Sequence, residues 1–273
     1  MRITVLGSGS GGNSTLVEAD GTRVLVDAGF TGRDLERRLD AIGVAPESVD
    51  GIVVTHDHGD HTRGMGILAR RFGLPLFLTP VTRQACAKLL NGKERVVEYA
   101  SAAPFRIGSL EVQPFLTVHD AADPVAVTLR HADSGLKLGI ATDLGRPTAA
   151  VRHALSGCDV LVLEANHDEA MLWNGPYPWS VKQRIASSHG HLSNRAAAEL
   201  ARELHHAGLR AVVLAHLSEH CNEGELARDV VGEVLEGLGY DGALVVAGQD
   251  APIEPIDAAE LRRARAPTQL TLL

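Results

Sequence analysis

Short apolar runs bounded by turn-forming residues recur along the chain, and each predicts a β-strand. They dominate the first part of the sequence, whereas beyond residue 31 they alternate with segments that have the period of amphipathic helices. This order predicts an α/β protein with two comparable halves, in which a two-layer core of sheets is flanked by helices. We expect strands at residues 2–6, 15–18, 22–27, 51–54, 76–78, 95–98, 104–107, 110–118, 125–130, 136–141, 159–164, 211–214 and 243–247.

Helix start signals support this alternation. Thr31 and Ser193 precede amphipathic segments as N-caps, and Pro80 suits the first turn of another helix. Residues 166–190 show no periodic pattern and are expected to be irregular. No linker divides residues 1–250, which we predict to be one domain, and residues 251–273 are expected to form a loosely packed C-terminal extension.

Composition excludes several classes of protein. The 273 residues carry a formal net charge of −8, which argues against a broadly basic nucleic-acid coat but allows a local basic patch. The three cysteines form no C-x-x-C pair, so they indicate neither a disulfide framework nor a thiolate zinc site. No apolar stretch reaches the roughly 18–20 residues that span a bilayer, and the N-terminus has no signal-peptide pattern. We therefore expect a cytoplasmic protein without membrane contact.

A cluster of histidines and aspartates follows the buried strand at residues 51–54. Residues 55–61 read T-H-D-H-G-D-H, so the ligand types preferred by zinc and related ions stand where the strand ends and the chain turns. Four more such residues lie at or just beyond the ends of apolar strands: His119, Asp143, Glu164 and His216. Because loops at this edge of an α/β sheet converge, the pattern indicates one metal site.

The cluster resembles the T-H-x-H-x-D-H signature of the metallo-β-lactamase superfamily, whose fold is a four-layer αβ/βα sandwich. The glycine-rich residues 7–14, the segment G-H-L-S-N at 190–194 and A-H-L-S at 215–218 are similar to those of the bacterial YycJ/WalJ group. The last two segments also resemble late histidine motifs of tRNA-processing RNase Z. The resemblance covers about residues 1–247.

This resemblance implies a binuclear metal centre, with zinc as the first expectation and manganese as the second. Three histidines would hold one metal ion: His56, His58 and His119. The second ion would be held by Asp60, His61 and His216, and Asp143 would bridge both. A hydroxide between the two ions would act as the nucleophile.

Asp60 and His191 are the catalytic candidates. His191 lies just before a helix and, by resemblance, would bind the scissile phosphate and help to protonate the leaving oxygen. Glu164 and His167 could form an orienting pair beside it. For Asp57 we expect an orienting role or a hydrogen bond within the turn.

These features predict a binuclear phosphodiesterase, with nucleic acid or a small phosphodiester as its substrate and possible assembly into a homo-oligomer. Three arginines could contact flanking phosphates: Arg63, Arg184 and Arg195. The aromatic residues Trp173, Tyr177 and Trp179 could stack a base or form a packed lid. The acidic net charge leaves an alternative open, in which the same metal centre hydrolyses a cyclic phosphodiester, a lactone or a thioester. A non-catalytic metal-binding or nucleotide-binding regulator would have a broken ligand set, whereas all seven positions are filled.

Overall fold

The computed structural model describes residues 1–264, so residues 265–273 of the predicted extension lie outside the described part. Within it, two seven-stranded sheets form the centre of the molecule. The strands are β1 Arg2–Gly7, β2 Ser14–Ala19, β3 Thr22–Val26, β4 Gly51–Val53, β5 Leu76–Leu78, β6 Val96–Glu98, β7 Phe105–Ile107, β8 Leu110–Leu116, β9 Val125–His131, β10 Lys137–Ala141, β11 Val160–Glu164, β12 Ala211–Ala215, β13 Ala243–Val246 and β14 Ile256–Asp257.

Each sheet has an antiparallel part and a parallel part. The first sheet has the order β14-β1-β2-β3-β4-β5-β6, and the second has the order β13-β12-β11-β10-β9-β8-β7. In the first sheet, β3 to β6 are parallel, and in the second, β10 to β13 are parallel. The loops that follow the parallel strands therefore lie at one edge of each sheet.

Ten α-helices occur in residues 1–264, together with 3₁₀ turns at Pro46–Ser48 and Ala87–Leu89. The helices are α1 Gly32–Ala41, α2 Gly59–Thr62, α3 Met65–Phe72, α4 Pro80–Ala85, α5 Ala149–Leu155, α6 Glu169–Asn174, α7 Trp179–Ile185, α8 Asn194–Leu204, α9 Gly224–Gly237 and α10 Ala258–Ala264. The predicted caps are confirmed, since Thr31 and Ser193 each accept a backbone N–H bond from the first turn of their helix.

The parallel strands are apolar on both faces, which explains the layered architecture. In β3, Val24 and Val26 pack between the sheets, whereas Leu25 faces the layer that contains α1 and α3. In β11, Val162 joins the same central core and Leu163 packs beneath α8. A sheet that must bury both faces needs a partner on each side, and the result is the predicted four-layer αβ/βα sandwich.

Two local predictions were wrong. Residues 166–190 are not irregular throughout, because they contain α6 and α7, whose 6 and 7 residues are too few to show a helical period. The tail is not loosely packed up to residue 264: β14 pairs with β1, and Ala258 is fully buried. The domain boundary at residue 250 stays a prediction.

The remaining structural expectations concern cysteines and membranes. Cys86, Cys158 and Cys221 are free and buried, which confirms them as small core residues. Burial raises the pKa of Cys86 to about 11 and that of Cys158 to about 12. No helix within residues 1–264 has the length and apolar character needed to cross a membrane.

Candidate metal centre

The side chains singled out in the sequence come from loops that follow strands of both sheets. His56 follows β4 of the first sheet, whereas His119, Asp143 and His216 follow β8, β10 and β12 of the second. Since β10, β11 and β12 are parallel neighbours, their carboxyl ends share one edge of the sheet. The cluster therefore lies at the edge of the molecule where the carboxyl ends of strands from both sheets are close to each other.

One group of donors contains His56, His58 and His119, whose ligand atoms lie within 4.8 Å of one another. The Nε2 atom of His119 is 3.3 Å from Nδ1 of His58. The far nitrogen of His119 lies 3.1 Å from the carbonyl oxygen of Gly190, and Nδ1 of His56 lies 3.0 Å from the hydroxyl of Thr55. These bonds leave Nε2 of both rings directed at the centre.

A second group contains Asp60, His61 and His216. Oδ2 of Asp60 is 3.4 Å from Nε2 of His61 and 3.3 Å from Nε2 of His216. The other ring nitrogen of each histidine is fixed by a buried carboxylate: His61 donates to Asp27 at 2.8 Å, and His216 donates to Glu164 at 2.8 Å. Such carboxylate–histidine pairs fix the tautomer that leaves Nε2 free for a metal.

Asp143 lies between the two groups. Its Oδ2 atom is 3.1 Å from Nε2 of His61, and its Oδ1 atom is 3.6 Å from Nε2 of His119. It also forms a potential ligand set with His56 and His61. This position is what a carboxylate shared by two ions requires.

Three of the residues that follow strands adopt left-handed backbone conformations. Asp27, Asp143 and His216 have φ angles of 63°, 58° and 56°. Such a conformation costs roughly 1–3 kcal/mol for a residue other than glycine, and it concentrates at functional sites where the surroundings impose it. At each position it turns the chain sharply at the strand end and directs the side chain into the cluster.

Without a metal ion, the buried histidines and carboxylates hold one another by charge. Burial opposes the charged form of His216, but the neighbouring carboxylates of Asp143 and Asp60 outweigh it and raise its pKa to about 10. Burial likewise opposes protonation of His61, but Asp143 and Asp27 raise its pKa well above the usual range. These two rings therefore carry protons at neutral pH when no cation is bound.

The pKa values of the neighbouring carboxylates are shifted in the opposite direction, downwards. Burial alone would raise the pKa of Asp143, yet His216 and His61 hold it well below its ordinary value. Burial would also raise the pKa of Glu164, but His191 and His216 lower it to about 2. Burial and the adjacent charge of His61 lower the pKa of His56, which stays neutral and able to donate a lone pair.

The donor set fits divalent metal ions. Within the described residues, Nε2 of His56 is buried without any hydrogen-bond partner, although it lies among potential ligands. Buried polar atoms normally have a partner, and an ion is one explanation for such an exception. Imidazole and carboxylate donors suit zinc and manganese.

Glu164 orients His191 by a direct hydrogen bond in which His167 takes no part. One oxygen of Glu164 accepts from Nδ1 of His191 and from Nδ1 of His216, each at 2.8 Å. The buried Nδ1 atom of His167 has no hydrogen-bond partner in the described residues, so the expected Glu164–His167 pair is wrong. The chain turns at Gly190 so that His191, which follows it, faces Glu164 directly.

Sequence reasoning missed two residues that support the cluster. Asp27 accepts from the backbone and hydroxyl of Thr55 as well as from His61. The side-chain amide of Asn13 lies 3.2 Å from Oδ2 of Asp60 and 3.2 Å from Nε2 of His61. The position of Asp27 at the end of β3 matches the rule used for the other acids and could have identified it.

The glycine-rich loop of residues 7–14 contributes side chains rather than a row of free amides. The N–H groups of Gly9 and Gly11 are bonded to the side chains of Asn13 and Gln249. The hydroxyl of Ser8 accepts from the backbone N–H of His216, which links this loop to the end of β12. The loop thus stabilises the cluster from the side of the first sheet.

Asp57 and the three arginines have distinct positions. Asp57 accepts from the backbone N–H of Ala122 at 2.8 Å, so it ties the cluster loop to the loop of His119 rather than forming a hydrogen bond within its own turn. Arg63 donates to the carbonyl oxygen of Gly11. Arg184 pairs with Asp120 and lines the cavity over the metal centre, whereas neither Arg63 nor Arg195 lines it.

A cavity of about 180 Å³ opens onto the cluster. Its floor includes Asp60, Asp143 and His216, and His191 lies at its side. Another wall is formed by Tyr177, which lies between α6 and α7, and by Arg184 near the end of α7. A phosphate group fits in this volume, and the donor groups face the place where it would lie.

Comparison with known proteins agrees with this geometry. The family described as "Beta-lactamase superfamily domain" matches residues 22–217. The exodeoxyribonuclease YycJ of Bacillus anthracis is 36% identical over 242 residues, covering 88% of this chain and 91% of that protein. The exodeoxyribonuclease WalJ of Streptococcus pneumoniae is 34% identical over 250 residues, with the same shares covered. The solved structure of YhfI, a metallo-β-lactamase fold protein from Bacillus subtilis, matches with a TM-score of 0.71 at 19% identity, over 92% of this chain and 98% of that one.

Two mixed sheets with a histidine and carboxylate cluster at their shared edge define a metal-dependent hydrolase of the metallo-β-lactamase fold. The chain belongs to the beta-lactamase superfamily, and over most of its length it is similar to the YycJ and WalJ proteins. The resemblance, the fold class and the hydrolase assignment made from the sequence are therefore confirmed.

Proposed function

We propose that this chain is an exonuclease that hydrolyses phosphodiester bonds of DNA with two divalent metal ions. The observation that carries the proposal is the position of His191, which is held by Glu164 at 2.8 Å on the side of a cavity floored by potential metal ligands. A proton donor beside a binuclear site is suited to a phosphate ester, whose leaving oxygen needs a proton. The names of the YycJ and WalJ relatives support DNA as the substrate.

In this proposal the two groups of donors hold one ion each. His56, His58 and His119 would bind the first ion, and Asp60, His61 and His216 would bind the second, with Asp143 shared. Zinc is the first expectation and manganese the second, because nitrogen and oxygen donors discriminate weakly between them. Such a pair of ions supplies a nucleophile at neutral pH and stabilises charge on the attacking and leaving oxygens.

The chain's own residues then position the substrate and move the proton. Since Glu164 occupies Nδ1 of His191, Nε2 is the nitrogen available to bind a phosphate oxygen and to protonate the leaving oxygen. Asp60 lines the cavity and is fixed by the amide of Asn13, so it would orient the attacking water by accepting a hydrogen bond. Arg184 would contact the phosphate next to the scissile one.

The test is a metal-supplemented screen of bis-p-nitrophenyl phosphate, end-labelled DNA, end-labelled RNA, and a panel of lactones and thioesters. We expect cleavage of the phosphodiesters, with mononucleotides released from the ends of DNA. Fewer than about two divalent ions per natively purified chain would contradict the binuclear centre. Cleavage of lactones or thioesters alone would exclude the nuclease.

A matched pair of histidine variants tests the proton donor. His191→Ala should leave the metal content unchanged and lower phosphodiester turnover roughly 10²-fold or more, the usual contribution of a general acid. His189→Ala removes an exposed histidine from the same loop that does not line the cavity. It should retain activity, and equal turnover in both variants would remove His191 from the mechanism.

Two observations support a second candidate, a hydrolase of small phosphodiesters or of lactones and thioesters. The cavity over the cluster is only about 180 Å³, and the chain has a net charge of −8, which weakens nonspecific attraction to a long polyanion. The same screen separates the two candidates, because a small-molecule enzyme would leave labelled DNA and RNA intact.

A further inference from the structure

Two tryptophans form an exposed aromatic pair on the segment that contains α6 and α7. Trp173 lies in α6 and Trp179 begins α7, and their ring centroids are 5.2 Å apart with the planes tilted by 41°. The residues are 42% and 64% exposed, respectively. Large aromatic side chains usually bury most of their surface, so the structure does not support the alternative of a packed lid.

The segment that carries this pair also supplies part of the wall of the cavity over the cluster. Tyr177, which lies in the sequence between the two tryptophans, lines the cavity over the cluster. Arg184 and Ile185, at the end of α7, line it as well. The tryptophans therefore lie on both sides, in the sequence, of a residue that a bound substrate would contact.

Helix α7 carries two cations on this segment. It contains Lys182 and Arg184 and no aspartate or glutamate, whereas α6 begins with Glu169 and Arg184 is paired with Asp120. The ammonium group of Lys182 donates to the carbonyl oxygen of Trp173, so a positive charge lies beside the aromatic pair. Aromatic rings with interspersed cations are the combination that binds single-stranded nucleic acid.

We propose that Trp173 and Trp179 form a stacking platform for unpaired bases of the nucleic-acid strand that enters the metal centre. This inference rests on the proposed nuclease function and adds the form of the substrate. Bases within a duplex are already stacked on one another, so the platform requires a strand that is single-stranded near the scissile bond. Lys182 and Arg184 contact the phosphates of that strand.

Tryptophan fluorescence provides a direct test, because the chain contains two tryptophans and both belong to this pair. The metal-loaded protein is titrated with a phosphorothioate oligonucleotide that resists cleavage. A second titration uses an abasic strand of the same length, which keeps the phosphates but lacks the bases. We expect the oligonucleotide to quench the fluorescence, and the abasic strand to bind at least roughly tenfold more weakly.

Variants of the two tryptophans then measure how much each side chain contributes to oligonucleotide binding. Trp173→Ala and Trp179→Ala should each weaken binding of a labelled oligonucleotide roughly tenfold, whereas Trp179→Phe should retain most of the affinity because the stacking face remains. Leu238→Ala removes an exposed apolar side chain from the end of α9 and should not change binding. Thermal melting and metal content establish that each variant is folded.

The outcomes distinguish this inference from the function on which it rests. If the wild-type protein cleaves neither DNA, RNA nor bis-p-nitrophenyl phosphate, the proposed function fails. If it cleaves DNA while its fluorescence is unchanged by the oligonucleotide, or if the abasic strand binds equally well, the function stands and the platform is overturned. A preference for blunt duplex over single strands would also overturn it.

Discussion

Nδ1 of His61 donates to Oδ2 of Asp27 at 2.8 Å, and neither side chain is more than 5% exposed. The bond fixes the imidazole so that Nε2 points at the cluster, and it joins the end of β3 to helix α2. Asp27 takes no part in any of the potential ligand sets, so it acts through the groups that it accepts from, His61 and Thr55. Its backbone has a φ angle of 63°, which asparagine tolerates about as well as aspartate.

We therefore expect Asp27→Asn to lower metal affinity at the site of Asp60, His61 and His216 by roughly 10–100-fold, the usual effect of losing a carboxylate that orients a ligating histidine. Competition with a chromogenic chelator measures this affinity. Asp159→Asn is a control, because Asp159 also accepts a backbone N–H bond, from Lys137 at 2.9 Å, and takes no part in any potential ligand set. Equal metal affinity in the two variants would contradict the role of Asp27.

The carboxylate of Glu164 accepts hydrogen bonds from two histidines and from the backbone. Besides His191 and His216, its carboxylate accepts from the backbone N–H groups of Leu144 and Leu192, each at 2.9 Å. In Glu164→Gln, an amide N–H must face one of these donors. We expect the turnover of bis-p-nitrophenyl phosphate to fall at least roughly tenfold even at saturating metal, since His191 loses its orientation.

The matched control for Glu164 is Glu98→Gln, which removes an exposed carboxylate paired with Arg83 far from the cluster. It should retain wild-type turnover. If Glu164→Gln lost only metal affinity, and recovered full turnover when metal was added, the link from Glu164 to His191 would be excluded.

The sequence was sufficient to predict the residues that meet at the centre, because they follow strands whose apolar character is visible locally. His56, Asp143 and His216 each stand just beyond such a strand, and parallel pairing brings these ends together. The hydrogen-bond partners of these residues were not predictable from the sequence. Glu164 bonds to His191 rather than to His167 because of how the loop before α8 turns, and this turn depends on contacts distant in the sequence.

Dependence on contacts distant in the sequence also explains why β14 and helix α7 were not predicted. β14 has only two residues, Ile256 and Asp257, and is a strand because β1 offers a free edge for pairing. Helix α7 begins after Pro178 and ends within two turns, so no helical period can develop in the sequence. Short elements whose existence depends on tertiary contacts leave little local pattern.

Metal binding should release protons from two histidines. The pKa of His216 is raised to about 10 and that of His61 lies well above its usual range, so both rings are protonated in the metal-free protein at neutral pH. A metal ion requires neutral imidazole and displaces these protons. Calorimetric titration at pH 7 in buffers with different ionisation enthalpies should reveal the release, and apparent metal affinity should rise with pH. Metal binding without proton release would contradict the assignment.

The same shifts predict how the stability of the metal-free protein depends on pH. A histidine whose folded-state pKa is raised stabilises the fold below its unfolded value of about 6.5, and this contribution is lost as pH rises towards the folded value, which is about 10 for His216. The carboxylate of Glu164 is shifted the other way, so its contribution is lost as pH falls from about 4.5 towards 2. Chemical denaturation should show stability falling in acid, as Glu164 is protonated and as His56, whose pKa is lowered, resists protonation, and falling in base, as His216 loses its proton.

Gly29 lies where the backbone that follows β3 meets the cluster loop, and a side chain there would displace Asp60. A Cβ atom on Gly29 would lie 1.6 Å from the carbonyl oxygen of Asp60 and 2.7 Å from the backbone nitrogen of Asn13. Both contacts are with backbone, which cannot rotate away. We expect Gly29→Ala to destabilise the protein by about 1–3 kcal/mol or more, the cost of overpacking, and to lower its metal content. Gly59→Ala is the control, since Gly59 precedes Asp60 directly but a Cβ there has no atom within 4 Å. Denaturation curves and metal analysis of the two variants should differ, because only the first change forces the Asp60 loop away from the ligands of the second site.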